Sequence, residues 1–441
     1  MRDLFDVMVV GAGPAGFGAA VAAARAGRKT ALVERHDVPG GMGTAALVNN
    51  FCPAHLDGKR LIIGGVFGEL RRRLIARRAL YSAADDASSI GEYYDPEVFV
   101  AEMNTMLDDA DVRCFYGARI ESAEFVSTES CLQLAGGHPL RARALVDATG
   151  DAVLAALGGA SFRFGRPSDG AVMPLTYCFT MGPVDLAELG RSFPNCLRHD
   201  ARMDEEYCCI IGCPEIDGLV RNARRKGALG IPLDRVPSVV SVPGRPEIVT
   251  VNFGRVQCKD PTEPVLLEQA TREGLEQIGE AVRFLRGTIP GFGRAELQEI
   301  ARQIGVRQSR QVEGLYELTA DDCLSCRQFD DVIAQCSYSL DIHESGSDGI
   351  TLKRLPPGEH YDIPWRCLIP KNGPPHLVVA GRSISASAEA MSSLRVSPSA
   401  LAIGEAAGVT AALASERTIP VRSVDWREVQ AFLLDQGAIL N

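Results

Sequence analysis

The beginning of the chain alternates between short apolar runs and an alanine-rich stretch, a pattern that predicts a βαβ unit. Asp6–Val10 and Thr30–Val33 are apolar runs of the kind that form strands buried in a parallel sheet. The segment between them, Pro14–Ala26, is rich in alanine, and Gly27 follows it as a helix stop. We therefore predict a buried strand, a helix and a second buried strand parallel to the first.

The next segments carry signals for another helix and several more strands. Asp95 stands before Pro96 as an N-cap stands before a first helical residue, and apolar residues then recur at helical spacing over 99–107. Val112–Tyr116 resumes as a strand. Residues 119–146 contain several short strand-like pieces, so the pattern predicts that the sheet continues through this segment.

The middle of the chain differs from its ends, because residues 167–265 hold many prolines and glycines. Apolar residues from Leu267 to Leu285 then predict a long helix that Gly287 closes. The β-type runs of this middle section are Val172–Met181, Val236–Val242 and Ile248–Phe253.

The last section returns to the pattern of the first. Leu377–Ala380 is typical of a strand, and Pro398–Ala414 of a helix rich in alanine and glycine. We predict an α/β protein in which residues 1–165 and 371–441 form one discontinuous, Rossmann-like cofactor domain. Residues 166–370 are predicted to form an inserted α+β substrate or cap domain.

Composition and charge narrow the class of protein. A chain of 441 residues with 46% apolar residues is long enough for two domains with ordinary cores. Lys and Arg number 46 against 56 Asp and Glu, for a net charge of −10, which argues against a nucleic-acid partner. The 13 cysteines are odd in number and scattered, which suits free thiols in a reducing compartment, so we expect a cytoplasmic protein.

Membrane and export signals are not expected either. A first strand that starts at Asp6 leaves no room for a signal peptide. The run Ala15–Ala26 is interrupted by Arg25 and is too short to span a bilayer, so we predict no membrane span.

Gly11-Ala12-Gly13-Pro14-Ala15-Gly16 is a G-x-G-x-x-G motif that directly follows a strand and opens a helix. In this context Gly11 permits the tight turn, Gly13 lets the backbone approach a pyrophosphate, and Gly16 allows close packing of helix and strand. Glu34 ends the second strand roughly 20 residues later, where an acid binds the hydroxyls of an unphosphorylated ribose. The motif therefore predicts a dinucleotide site and disfavours NADP.

Three further segments favour FAD over NAD. Gly40–Thr44 is a second glycine stretch that can lie against a bulky cofactor. Asp147–Asp151 ends a strand in small residues, and Ala380–Arg382 does so again. Ser397 is a plausible N-cap and Pro398 a good first residue for the last long helix, whose N-terminus would then face the flavin and stabilise the reduced ring.

These segments resemble the FAD-dependent oxidoreductases with the glutathione-reductase-type FAD-binding fold, and are distantly similar to succinate dehydrogenase and fumarate reductase flavoproteins. The resemblance runs nearly end to end and implies a flavoprotein oxidoreductase with non-covalently bound FAD. The matching segments are VVGAGPAGFGAA, ERHDVPGGMGTAALVNNF, LVDATGDAVLAALGGA, IGVRQSRQVEGLYELTADD, HYDIPWRCLIP and VVAGRSISASAEAMSSLRVSPSALAIGEAAG.

The resemblance also implies a set of cofactor contacts. In this family the first glycine loop and the acid hold the ADP half of FAD. The resemblance assigns to FAD the residues Gly11, Gly13, Ala15, Gly16, Glu34, Arg35, Gly41, Met42, Thr149 and Gly150. It places Gly381 and Arg382 at the phosphate and ribityl chain, and Arg395, Val396 and Ser397 near the isoalloxazine. The predicted FAD site is completed by Pro14, Thr44, Ile120 and Asp151.

Hydride transfer to a flavin often uses a base and a cation that holds or polarises an oxyanion. His55 follows the second glycine loop, and His343 lies in a segment that resembles the family's, so both are candidate bases beside Tyr361. The candidate cations are Arg307, Arg310 and Arg366. From these groups we predict His55, Arg310, His343 and Arg366 as catalytic residues, while a structural role stays open for each.

One position departs from the family pattern. Many relatives carry a His after the Ser of the segment Ser385–Ala388, and this chain has Ala388 in its place. If that His takes part in proton transfer, this protein uses another group, uses a different substrate or has lost ordinary dehydrogenase activity. The prediction of FAD is unaffected.

The cysteines and the remaining glycines suggest no second cofactor. Cys323 and Cys326 form a C-x-x-C after two aspartates that would raise the pKa of the thiols, so we predict free thiols. Cys208, Cys209 and Cys213 lack a cluster-binding spacing, and we predict no metal. Apart from the first motif, no G-x-G-x-x-G follows a strand.

The electron acceptor is therefore open. We predict a dehydrogenase or oxidase that acts on a small polar metabolite. The alternatives are a flavin monooxygenase or tailoring enzyme that uses reduced FAD and oxygen, and a non-catalytic FAD-binding protein.

Overall fold

A computed structural model describes residues 4–56, 60–82, 91–126, 128–166, 169–343 and 349–440. Its largest sheet is formed by both ends of the chain and has seven strands among the described residues. Across the sheet the strands are Arg113–Phe115, Thr30–Val33, Leu4–Val10, Leu140–Asp147, Ser130–Leu134 and Ile120–Phe125, with Leu377–Val379 also paired to Leu140–Asp147.

The parallel strands of this sheet end level with one another. In the pairing register Val10 lies opposite both Val33 and Asp147, and Asp147 lies opposite Val379. The chain leaves each of these strands at the same sheet edge, which is where ligands bind in open α/β sheets. The predicted βαβ unit and parallel sheet are therefore confirmed, and the two distant chain ends meet at one edge.

Two helices that cover this sheet approach each other closely because glycines face the contact. The helix Pro14–Arg25 packs against the helix Ser397–Arg417. A Cβ on Gly404 would lie 1.9 Å from the carbonyl oxygen of Ala15, and one on Gly408 would lie 2.1 Å from that of Ala19. The absence of side chains at these two positions allows a backbone separation that no larger residue would tolerate.

The other helices and short strands surround these layers. Within the described residues the remaining helices are Gly65–Ala76, Pro96–Asp109, Val153–Leu157, Leu186–Ser192, Pro214–Arg225, Pro264–Thr288, Ala320–Leu324, Ala388–Leu394 and Trp426–Asp435. Short antiparallel pairings join Asn50–Phe51, Glu92–Tyr94 and Leu80–Ser82, then His55–Leu56 with Arg60–Leu61, Phe162–Phe164 with Arg310–Val312, Val332–Cys336 with Tyr361–Pro364, and Leu340–His343 with Ile350–Lys353.

A second, antiparallel sheet of six strands is built from the middle of the chain. Phe179, Val249, Val251 and Phe284 belong to a core that this sheet shares with the helix Pro264–Thr288. Its strands are, in order, Leu197–Asp200, Glu205–Ile210, Ser238–Val242, Arg245–Asn252, Phe179–Gly182 and Glu296–Ile300.

Residues further along the predicted insert pack elsewhere. Ile333, Tyr361 and Trp365 share one core with Phe17 and Leu401, which belong to the two helices on the first sheet. The predicted bounds of the inserted domain, 166–370, therefore stay a prediction.

Three local predictions differ from the structure. The helix predicted to close at Gly287 continues to Thr288, and the glycine that adopts positive φ is Gly291, at +90°. The run Val172–Met181 is a strand only from Phe179, because Leu175 and Thr176 form isolated bridges instead.

The third difference concerns the start of the last long helix. Ser397 was predicted as its N-cap, but the Ala400 N–H already donates to the Val396 carbonyl, so Val396 is the N-cap and Ser397 lies in the first turn. Among the described residues no single helix has the length and apolar composition of a membrane span. The helix Ala388–Leu394 qualifies only together with Ser397–Arg417, from which it is bent by 98°.

Candidate functional site

The first glycine loop uses its three glycines for different physical reasons. Gly11 has φ +95°, and a Cβ there would lie 2.5 Å from the Ala148 carbonyl oxygen. A Cβ on Gly16 would lie 1.6 Å from the carbonyl oxygen of Gly11. A Cβ on Gly13 would meet nothing within 4 Å. The protein itself therefore requires glycine at the first and third positions, whereas the second faces open space that a phosphate group can enter.

The acid at the end of the second strand is fixed against this loop. Glu34 is 6% exposed, and its Oε2 accepts the backbone N–H of Ala12 at 2.6 Å. Its Oε1 accepts the N–H of His36 at 2.8 Å. Both bonds hold the carboxylate beside the glycine loop, where an acid binds a ribose.

The second glycine loop lies directly on the first. Gly40 and Gly41 have φ of +103° and +51°, and a Cβ on Gly41 would lie 2.8 Å from the Cα of Gly13. The Thr44 hydroxyl donates to the Pro39 carbonyl at 2.6 Å and so closes the loop on itself. Met42, the next residue after Gly41, faces the cavity described below.

A third predicted segment is tied together by an ion pair. Arg382 donates to the Asp151 carboxylate at 2.8 Å and to the Ser309 hydroxyl at 2.9 Å, and that hydroxyl donates to the same carboxylate at 2.7 Å. Burial alone would raise the pKa of Asp151, but the charge of Arg382 and the bond from Ser309 more than offset it, so the pKa is lowered. Gly150 and Gly381 adopt positive φ on either side of this pair.

A cavity of about 810 Å³ begins where these loops meet. Its lining includes five residues predicted to contact the FAD and two predicted to be catalytic. These residues are Met42, Arg382, Arg395, Val396 and Ser397, together with His55 and His343. The structure therefore brings the predicted flavin-facing residues and both candidate histidines to one cavity.

A partly buried charged cluster lines the cavity. Nε2 of His343 lies 3.0 Å from Oδ2 of Asp341, and an Nη of Arg395 lies 3.8 Å from the same oxygen. Arg307 also lines the cavity and donates to the Pro174 carbonyl at 2.7 Å. Within the described ranges no carboxylate lies within 4.0 Å of Arg307, so the wall carries excess positive charge.

This cluster shifts the pKa values of its members. Burial and the nearby charge of Arg307 lower the pKa of His343 to about 3, so its imidazole is neutral at neutral pH. Burial alone would raise the pKa of Asp341, but His343, Arg395 and Arg307 hold it well below its usual range. Burial and the charge of Arg395 lower the pKa of Arg307 to about 10. His55, on the short strand His55–Leu56, has a pKa lowered mainly by burial.

Other predicted residues lie away from this wall. Arg366 forms a two-pronged ion pair with Asp331, at 2.9 and 3.0 Å, and Arg310 donates to the Thr262 hydroxyl at 3.0 Å. Neither lines the cavity as the described residues define it. The hydroxyl of Tyr361 lies 2.7 Å from that of Ser393 in the core.

Two predicted cofactor residues also have local partners. The Arg35 guanidinium donates to the Gln303 side chain at 2.7 Å, and Ile120 is partly buried in the antiparallel part of the first sheet. Their assignment to FAD stays a prediction.

Sequence reasoning missed two further polar residues on the cavity lining. Thr250 and Asn252 line the cavity from the strand Arg245–Asn252, and Thr250 Oγ1 and Asn252 Oδ1 are buried without a hydrogen-bond partner in the described structure. They are two residues apart on one strand, so both side chains point to the same face. A polar residue at alternate positions of an otherwise apolar strand was the available signal.

A second cavity, of about 130 Å³, adjoins His343 on another side. Ala388 lines this smaller cavity together with His343 and Gln308. The small side chain of Ala388 thus borders a space beside His343.

The cysteines do not gather at the cofactor loops. All 13 are free thiols, and Cys323 of the C-x-x-C is buried in the core. Burial raises the pKa of Cys52, which lines the large cavity, to about 12, so its thiol stays protonated. No group of three or more potential metal ligands is found among the described residues.

A model of the FAD dependent oxidoreductase family matches residues 6–433. The chain belongs to this family. It is an oxidoreductase enzyme with FAD as its cofactor, and the open approach to Gly13, the fixed carboxylate of Glu34 and the glycine-lined junction with the cavity fit that cofactor.

Individual similar proteins are distant or share only a short segment. A 40-residue segment is 52% identical to dihydrolipoyl dehydrogenase of Chlamydia trachomatis serovar D, and this match spans 9% of either chain. A flavoprotein/dehydrogenase of Cytophaga hutchinsonii is 13% identical with a TM-score of 0.46, over 98% of this chain and 83% of that one. The p-nitrophenol 4-monooxygenase of Pseudomonas putida is 13% identical with a TM-score of 0.43, over 99% and 84%.

Proposed function

We propose that this FAD-dependent oxidoreductase is a dehydrogenase or oxidase that transfers a hydride from a small polar metabolite to non-covalently bound FAD. The observation that carries the proposal is the shared cavity of about 810 Å³. It is lined both by residues predicted to face the flavin and by a partly buried cluster of a histidine, an aspartate and two arginines. A substrate in this cavity would lie within reach of both sets.

The chain's own residues supply the binding. The glycine loop from Gly11 to Gly16 and the Glu34 carboxylate would hold the ADP half of FAD, and Arg382 and Arg395 would hold the flavin half. The helix that begins after Val396 directs its N-terminus to the cavity, and such an N-terminus favours a nearby negative charge by about 0.3–1 kcal/mol. When bound, FAD supplies the hydride acceptor.

The same cavity contains a side chain that can accept the proton released when the substrate is oxidised. When a carbon that bears a hydroxyl or amino group is oxidised, the carbon loses a hydride and the hydroxyl or amino group loses one proton. His343 is neutral and is oriented by its bond to Asp341, so its second ring nitrogen, which has no hydrogen-bond partner among the described residues, can accept that proton. The imidazolium that forms would be stabilised by the Asp341 carboxylate 3.0 Å away.

Non-covalent attachment is supported by the thiols on the cavity lining. Among the described residues these are Cys52 and Cys178, and burial raises the pKa of each to about 12, which keeps both in the unreactive thiol form. The visible spectrum of the purified protein, before and after acid precipitation, tests this point. Yellow colour released into the supernatant is expected, whereas colour retained in the pellet would show a covalent flavin and overturn this part of the proposal.

The reaction is tested by anaerobic mixing of the FAD-loaded protein with metabolite panels. Loss of the flavin absorption near its visible maximum with an alcohol or amine substrate, followed by recovery in air or with an artificial acceptor, is the expected result. Flavin that is bleached only by NAD(P)H, with substrate-dependent oxygen consumption, would instead establish a monooxygenase.

A further inference from the structure

The large cavity has a charge opposite to that of the protein. The chain carries a net charge of −10, yet five arginines line this cavity. They are Arg235, Arg307, Arg354, Arg382 and Arg395. Among the residues that the structure describes, the carboxylates on the lining are those of Asp341 and Glu359. Since a cavity with low-dielectric walls concentrates the field of its charges, this lining attracts anions.

Two of these five charges are already paired. Arg382 is paired with Asp151 at 2.8 Å, and Arg395 lies 3.8 Å from Asp341. Arg235 and Arg354 are exposed to solvent. Arg307 is partly buried and donates to the neutral carbonyl of Pro174, and in the part of the chain that the structure describes no carboxylate lies within 4.0 Å of it. A partly buried guanidinium without a carboxylate partner is unfavourable, and an anionic ligand group would remove that cost.

Two polar groups on the cavity lining have no hydrogen-bond partner in the described structure. Thr250 is 6% exposed, and its hydroxyl oxygen has no partner in the described structure. Oδ1 of Asn252 on the same strand is likewise unpartnered. Leaving such groups buried without a hydrogen bond is unfavourable, so a bound molecule that forms a hydrogen bond with them is favoured.

We infer that the substrate of the proposed reaction is a small organic anion, a carboxylate that also carries a hydroxyl or amino group. Its carboxylate binds Arg307, and the Thr250 hydroxyl donates a hydrogen bond to the oxygen or nitrogen of its hydroxyl or amino group, whose own hydrogen stays available to His343. The inference rests on the proposed function only in locating the substrate in this cavity. Binding itself requires no turnover, which allows the two to be tested apart.

The experiment titrates the FAD-loaded protein with matched probes and follows the flavin absorption spectrum. The probes are lactate and 3-phenyllactate, each with its deoxy acid (propionate and 3-phenylpropionate) and its neutral amide (lactamide and 3-phenyllactamide). We expect at least one hydroxy acid to perturb the spectrum saturably at millimolar concentration, with its amide binding at least about tenfold more weakly. The deoxy acid should bind about three- to tenfold more weakly, because it leaves Thr250 and Asn252 unsatisfied.

Variants assign each preference to a residue. Arg307→Met should abolish the preference for acid over amide, and Arg307→Lys should keep it in part. Thr250→Val, which is nearly isosteric, should reduce the preference for the hydroxy acid over the deoxy acid while leaving that for acid over amide unchanged. Arg272→Met removes an arginine that is 74% exposed on the helix Pro264–Thr288, and should change neither preference.

The outcomes separate this inference from the proposed function. Amides that bind as tightly as acids, acids that do not bind at millimolar concentration, or an acid preference that survives in Arg307→Met would overturn the inference. Thr250→Val tests the second contact even if Arg307→Met fails to fold. Acids that bind as expected without ever bleaching the flavin would leave the anion site standing and contradict hydride transfer. Bleaching of the flavin by neutral alcohols alone would support hydride transfer and contradict the anion site.

Discussion

Nε2 of His343 lies 3.0 Å from Oδ2 of Asp341 in the wall of the large cavity. The aspartate fixes the orientation of the imidazole, and the charge of Arg307, together with burial, keeps it neutral. The proton acceptor His343 therefore lies close to the guanidinium of Arg307, which we propose binds the anion. A ligand that binds Arg307 should thus also change the pKa of His343.

Replacing His343 with Gln should lower kcat by about 100-fold, since positioned general bases contribute about 10²–10⁴. In the free enzyme burial and the Arg307 charge lower the pKa of His343 to about 3. An anionic substrate beside Arg307 offsets that positive charge, so the pKa should rise in the complex. The acid limb of the kcat profile should thus lie at higher pH than that of kcat/KM.

Steady-state rates across pH measure both effects, with His138→Gln as the control because His138 is exposed on a turn. Unchanged kcat in His343→Gln would remove His343 from proton transfer and leave His55 as the histidine to test.

Replacing Gly13 and Gly16 with Ala should change different properties of the protein, FAD affinity in the first case and stability in the second. A Cβ at Gly16 would overlap the carbonyl oxygen of Gly11, whereas a Cβ at Gly13 meets no protein atom within 4 Å. Gly16→Ala is therefore expected to lower the melting temperature of the apoprotein sharply. Gly13→Ala should leave that temperature unchanged and weaken FAD binding by at least about tenfold. Thermal unfolding without FAD and flavin fluorescence titration measure these results, and an intact FAD affinity in Gly13→Ala would show that the phosphates do not approach at this point.

Replacing Glu34 with Gln should weaken FAD binding by about tenfold, equivalent to about 1.4 kcal/mol. The amide keeps one oxygen acceptor but cannot serve the N–H groups of Ala12 and His36 together with a ribose hydroxyl. Quenching of flavin fluorescence during titration of the apoprotein gives the affinity. Glu121→Gln on the exposed edge of the first sheet is the matched control. Equal affinity in both variants would place the ribose elsewhere.

Glu405 predicts a pH-dependent loss of stability. It is 3% exposed in the helix Ser397–Arg417, accepts the Val66 N–H at 3.0 Å, and has a pKa raised by burial to about 7. Because this value lies above the ordinary 4.5, its contribution to stability is fully present below about pH 4.5 and is lost as pH rises through about 7. Glu405→Gln should therefore be more stable than the parent at pH 8, by about 1–3 kcal/mol, with little difference at pH 4.5.

Thermal unfolding of both proteins between pH 4.5 and 8 measures this difference. A variant that is equally destabilised at every pH would show that the hydrogen bond to Val66, rather than the buried charge, governs this position.

Local chemistry explains what could be predicted from the sequence. Asp95 caps its helix as expected, with its carboxylate accepting the N–H groups of Glu97 and Val98, because a cap depends only on residues a few positions away. The βαβ unit was predictable for the same reason. Ser397 was predicted wrongly as a cap because the preceding helix, Ala388–Leu394, and the sharp bend after it already set the extended backbone at Val396.

Contacts between distant segments account for what could not be predicted. Arg307, Asp341 and Thr250 line one cavity although they belong to separate segments of the chain. The alternation of Thr250 and Asn252 with valines indicates a polar face on their strand, but it does not indicate that this face lines a cavity. Likewise, Arg366 looked like a candidate cation until its pairing with Asp331 was seen, since an ion pair between residues 35 positions apart leaves no local pattern.

The pairing of Leu377–Val379 with Leu140–Asp147 also bears on how the protein is made. The partner strand leaves the ribosome about 230 residues after Asp147, which at about 5–20 residues per second is a delay of roughly 10–50 s. During that time the strand edge at Asp147 is unpaired and the helix Ser397–Arg417 has not covered the first helix. The nascent chain therefore exposes an unpaired strand edge that can pair with other chains, next to an incomplete FAD site. FAD can bind only after the helix Ser397–Arg417 has been synthesised.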